Sequence, residues 1–188
     1  MKSRFLPLLI AGTMLLGFNC KIVDPFLIAL NLPLEVCAGV NAGNSWNEQE
    51  TFNIRDEIAK VSTSYPDQIK ATRVSDISVY MPNPPTSGSG SGSVSYRLDG
   101  QALVTLFTFT NVPFDSLRGN GISYSNTTLI QFNRAALTAL IAALESPSGL
   151  PATATITVVT IGTTTVTVPQ GTQICAKILY QADAEISS

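Results

Sequence analysis

The sequence predicts a mostly β protein: a single antiparallel β-sandwich, Ig-like or jelly-roll-like, with one short covering helix. Three observations carry that prediction. Apolar and polar residues alternate with a period of two in several segments, most cleanly over 174–186. Turn-forming residues separate these segments at short intervals. Only the stretch after Asn133 places its apolar residues, Leu137, Leu140, Ile141 and Leu144, at helical spacing, and Pro147 and Gly149 stop it. About eight strands and one helix result, and such a set closes as two packed sheets.

Residues 1–19 read as an export signal. Lys2 and Arg4 precede an uncharged apolar stretch from Phe5 to Phe18. That stretch falls short of the roughly 20 residues that span a bilayer, so it is a leader and not a crossing helix. It runs up to Cys20. The chain has three cysteines, Cys20, Cys37 and Cys175. An odd count in an exported chain calls for a separate role for one of them. Lipidation of Cys20 supplies that role, with 20–25 as a lipidated tether and the sandwich over 26–188.

The pattern at Cys20 resembles a bacterial lipoprotein signal, in which a cysteine after the apolar core is acylated and becomes the mature N-terminus. The usual box has Leu three positions before the cysteine and a small residue just before it. Here Gly17 and Asn19 hold those places and Leu16 sits one position early. The layout over roughly 26–186 resembles small lipid-anchored β-sandwich proteins of bacterial envelopes. That resemblance is architectural and transfers no functional residues.

The elements follow in order. Over 26–37, Ile28, Leu30, Leu32, Leu34 and Val36 alternate with Ala29, Asn31, Pro33, Glu35 and Cys37. This is a half-buried strand, and Pro33 places it at a sheet edge because it cannot donate to a ladder. Residues 38–47 read as a loop that carries Trp46. A short strand at 51–54 and one or two helical turns over 56–62 come next. Residues 69–81 form a strand with Ile77, Val79 and Met81 on one face. The tract 82–93, PNPPTSGSGSGS, has the composition of a flexible loop within the domain.

Residues 94–98 alternate and run into Asp99-Gly100, a strong hairpin pair. The following arm has apolar residues on both parities, as in a central strand covered on both sides: Leu103, Phe107 and Phe109 against Ala102, Val104 and Leu106. After a loop at 111–127 and a short strand at 129–132, Asn133 caps the helix. Residues 152–168, rich in Thr and Val, read as a strand pair with Gly162 at a turn or bulge. No charge occurs between Glu145 and Lys177, so this pair is either central or a surface for pairing.

The chemistry is bounded by what the chain lacks. It has no histidine, which removes the commonest general base and every His-ligated metal site. Its formal charge is −2, shifting to −4 if Lys2 and Arg4 leave with the signal. No basic patch can be built from that, which excludes nucleic acid as a partner. No metal or cofactor is expected. Asn41, Asn44, Asn47, Glu48 and Glu50 crowd oxygen atoms together but do not match a calcium loop.

The first functional expectation is therefore a non-catalytic, exported envelope protein with a structural or protein-interaction role. It would be held to the membrane by its lipid, with an envelope protein or surface polymer as partner. A cell-surface module for carbohydrate or matrix is the alternative, with Trp46 as ligand contact. A histidine-free hydrolase using paired carboxylates comes third. It would draw on Glu48, Glu50, Asp56, Glu57, Asp67, Asp76, Asp99, Asp115, Asp183 or Glu185. A Cys37–Cys175 disulfide is expected once Cys20 is set aside, since export permits it and both residues fall on polar parities.

Overall fold

The computed structural model describes residues 26–61, 63, 65–124 and 128–186. The export signal, the tether and Cys20 lie outside them. The strands are β1 (Phe26–Gly39), β2 (Ser45–Asn53), β3 (Ile69–Tyr80), β4 (Ser89–Leu98), β5 (Val104–Pro113), β6 (Ile122–Ser123), β7 (Ile130–Phe132), β8 (Thr155–Thr164) and β9 (Gln173–Ile186). Two helices, α1 (Ile54–Ala59) and α2 (Arg134–Leu144), accompany them.

The strands form two antiparallel sheets, ordered β1-β9-β3-β6 and β2-β8-β4-β5-β7. With β7 set aside as an extra edge strand, the pairings are nested. The first strand pairs with the last, β2 with β8, β3 with β6, and β4 with β5. That is one long hairpin rolled into two sheets, the jelly roll. Each sheet draws strands from both halves of the chain, so neither half holds a closed set alone.

Alternation decides which face is buried. Leu30, Leu32, Leu34 and Val36 of β1 point inward, as do Ile174, Ala176, Ile178, Tyr180, Ala182 and Ala184 of β9. They meet Trp46, Phe52, Val94, Tyr96, Phe107, Phe109, Ile156 and Val158 from the facing sheet in one continuous core. β1 is an edge strand, as Pro33 requires. The turn after β4 has positive φ at Asp99 (46°) and Gly100 (74°), the geometry for which that pair was read.

Helix α2 closes one side of the sandwich. The Asn133 side chain accepts from the Ala136 N–H at 3.1 Å, and Ala136, Leu140 and Leu144 are buried. The helix packs on β3 and β5, one strand from each sheet. The chain beyond it then covers the outer edge of β3. Thr72 N–H donates to Ser146 O (2.8 Å), and Ser146 N–H returns a bond to Thr72 O (3.1 Å). That edge presents no free ladder there.

Four expectations need correction. The tract 82–93 is not wholly a loop, because β4 begins at Ser89 and runs through the Ser-Gly repeat. The segment 152–168 is not a strand pair. It holds one strand, β8, seated between β2 and β4, and Gly162 lies within that strand. Its lack of charge follows from being internal. The loop read over 38–47 is confined to 40–44, since β1 runs to Gly39 and β2 starts at Ser45. Finally, β5 is not covered on both sides throughout. Leu103 and Val104 are exposed, and Leu106 is buried beside Phe107 because the ladder is irregular between Val94 and Ser95.

Candidate functional site

Trp46 was the candidate ligand contact, and the structure contradicts it. Its side chain is 1% exposed, on β2 and facing the core. The indole N–H donates to Thr160 Oγ1 at 3.1 Å, which satisfies its one polar group. The ring stacks on Phe109 at 6.2 Å between centroids. Between them in the same row lie two glycines: Trp46 pairs with Gly162, Gly162 with Gly92, and Gly92 with Phe109. A Cβ at Gly162 would strike the indole and the Ser91 carbonyl, and one at Gly92 would strike the Ile161 carbonyl and the indole. The Ser-Gly repeat is thus a strand whose inner positions are emptied to seat a tryptophan.

Cys37 and Cys175 are joined by a disulfide, with Cα atoms 4.0 Å apart. They are direct register partners across β1 and β9. Both sit on the outer side of their sheet, as their parity predicted, yet Cys175 is fully buried there. The same register sets Glu35 opposite Lys177 and Tyr80 opposite Cys175. Tyr80 Oη donates to Glu35 Oε1 at 2.7 Å. Lys177 Nζ stands 5.3 Å from the Tyr80 ring centroid, a cation–π arrangement. Burial, this hydrogen bond and the Glu35 charge push the Tyr80 pKa up to about 12.

This cluster was not foreseen as such. A cue was present, however. Glu35 lies two residues before Cys37 and Lys177 two after Cys175, and antiparallel pairing of the cysteines brings those two together. Glu35, Cys37 and Cys175 also place ligand-type atoms within 4.8 Å of one another. Both sulfurs are taken up by their mutual bond, so the trio does not suit a metal. Glu35 Oε1 lies 3.2 Å from Cys37 Sγ. A disulfide sulfur carries no proton, so this is a close contact and not a donated bond.

The acidic candidates are spread apart. Asp67, Glu57, Glu185, Asp183 and Asp115 pair with Arg55, Lys60, Lys70, Arg73 and Arg118. Asp99 accepts from Ala154 N–H and Thr155 N–H at 3.0 and 2.8 Å, holding its turn. Asp76 accepts from the Ser123 hydroxyl. Asp56 lies in the first turn of α1, where its N–H donates to the capping Asn53 side chain. Glu48 and Glu50 are exposed on edge strand β2. Four surface cavities of about 220, 300, 430 and 390 Å³ have no carboxylate among their lining residues. The oxygen-rich stretch after β1 is a turn: Asn41 Oδ1 accepts from Gly43 N–H, Ser45 N–H and Ser45 Oγ.

Among solved structures, the chain is similar to one from Desmodium yellow mottle tymovirus, at 8% identity and a TM-score of 0.35, covering 100% of this chain and 97% of that one. It is also similar to one from tobacco necrosis virus, at 14% identity and a TM-score of 0.33, covering 87% and 98%. Likeness at this level says nothing of function. No family model matches the chain, and no curated protein does.

Proposed function

We propose that this chain is an exported, non-catalytic envelope protein, held at a membrane by acylated Cys20, whose sandwich has a structural or protein-interaction role. One observation carries the reading. Cys37 and Cys175 face each other in register and are bonded, so the pair is complete without Cys20. Disulfides persist in oxidising, exported compartments. The third cysteine then stands alone directly after the apolar leader, where an acyl transferase would meet it.

The edges suit a protein that stays discrete. β1 carries Pro33 in mid-strand. β2 carries Glu48 and Glu50 on the parity of the buried Trp46 and Phe52, yet exposed. Inward-parity charges of this kind block edge-to-edge pairing. With Trp46 buried, the carbohydrate reading loses the residue that supported it.

Intact-mass measurement on the membrane fraction of cells expressing the full chain tests the proposal. The mature protein is expected to begin at Cys20 with the added acyl mass, and the Cys20→Ala variant to leave the membrane. A variant that stays membrane-bound refutes it.

A further inference from the structure

The described residues expose six large apolar side chains, and their distribution is uneven. Strand directions define two ends of the sandwich. One end holds the start of β1, the end of β9, α1 and the β4–β5 turn, because Phe26 pairs with Ile186, Ile69 with Ala184, and Asn53 with Thr155. Leu27 (61% exposed), Val61 (53%), Leu103 (54%) and Val104 (36%) all lie at this end, on three separate parts of the chain. Of the other two, Ile161 is on a sheet face and Val166 is at the opposite end.

Three ion pairs lie at this end, while Asp56 of α1 and Asp99 of the β4–β5 turn are exposed and have no ion pair among the described residues. Arg55 pairs with Asp67, Lys60 with Glu57 and Lys70 with Glu185. Paired charges resist an apolar neighbour less than isolated ones do. The chain also enters the domain here. From Cys20 to Pro25 is six residues, which reach about 20 Å when fully extended. β9, at 14 residues, is about 45 Å long. A tether that short cannot let the sandwich stand on its opposite end, because the start of β1 would then be about 45 Å from the surface where an acyl chain is inserted.

We propose that this end of the sandwich seats against the lipid bilayer, with Leu27, Val61, Leu103 and Val104 entering the headgroup region. The inference rests on the acylation of Cys20 proposed above and adds an orientation to it. The loops at 40–44, 82–88 and 165–172 then face away from the membrane and form the presented surface. An apolar contact beside the lipid anchor adds buried hydrocarbon to the hold.

The test uses the full-length acylated protein. It is reconstituted into vesicles of phosphatidylethanolamine and phosphatidylglycerol that contain a phosphatidylcholine with a diazirine high on its acyl chain. After irradiation, lipid adducts are mapped to residues by tandem mass spectrometry. Adducts are expected at Leu27, Val61 and 103–104 at about tenfold the level in 40–44, 82–88 and 165–172. A Leu103→Ser/Val104→Ser variant is expected to lose at least two thirds of the labelling at 99–104. If Cys20 carries its acyl mass but adducts are absent or evenly spread, the seating is wrong and the anchor stands. If Cys20 carries no acyl mass, the anchor fails first and the seating falls with it.

Discussion

In the four-stranded sheet, edge strand β1 is tied to β9 by the Cys37–Cys175 bond, with Glu35, Lys177 and Tyr80 packed around it on the outer side. In the five-stranded sheet, edge strand β2 is held from the inner side. Its Trp46 reaches across Gly162 and Gly92 to stack on Phe109. Both strands need holding, since an edge strand has ladder bonds on one side only. One solution is covalent and depends on the redox state of the compartment. The other is a matter of volume and depends on two residues having no side chain. The two edges of one fold therefore have different vulnerabilities.

Removing the bond should have the largest effect. A Cys37→Ala/Cys175→Ala variant frees a loop with a sequence separation of 138. The chain-entropy treatment gives about 5 kcal/mol for so long a loop. Urea denaturation checks this, and hydrogen exchange should show β1 amides opening well before those of β2. Equal opening of both edges would break the comparison.

Next comes the five-stranded sheet. Trp46→Ala should cost about 4 kcal/mol, the range for emptying a large aromatic site. Gly162→Ala should cost about 3 kcal/mol by overpacking. In both variants β2 and β8 should lose exchange protection first, with the β1–β9 ladder less affected. Helix α2 rests on both sheets, so Asn133→Ala should cost about 1 kcal/mol and loosen each alike, measured by the same denaturation.

The smallest effect concerns tyrosines of the four-stranded sheet. Tyr180 is fully buried, and its hydroxyl has no hydrogen-bond partner at ordinary geometry. The neighbouring Thr72 hydroxyl gives its own proton to Leu144 O. Burial pushes the Tyr180 pKa up to about 12, with Thr72 pulling slightly the other way. A folded-state pKa above the unfolded value of about 10 favours the protonated, folded form. This contribution is complete below pH 10 and is lost as pH rises toward 12. Tyr180→Phe should flatten that alkaline loss and, at pH 7, shift stability by less than about 1 kcal/mol, since an unpaired hydroxyl is removed. Thermal melts across pH 8–12 measure both.

Much of the fold is legible in side chains that point one way or the other. In β1 and β9 the apolar and polar residues take turns, and that period alone assigns the faces. Asn133 announces the helix through its own chemistry, and Asp99-Gly100 the hairpin through positive φ. The cysteine count pointed to Cys37 with Cys175, and the pair in turn set Glu35 against Lys177. The candidate site was less legible. Trp46 looked like a loop aromatic because the residues around it are small and polar, with no period to mark a strand.

The sequence by itself determined the class of the fold, the buried faces of its alternating strands, the covering helix and the disulfide. These depend on contacts a residue makes through its own side chain or with near neighbours along the chain. Only the tertiary structure decided that the Ser-Gly tract is a strand, that 155–164 is one internal strand, and that Trp46 is buried. A glycine has no side chain to reveal which face it occupies. Its state is set by what lies across from it, and Trp46 is 46 residues away from Gly92 in the chain and beside it in the sheet.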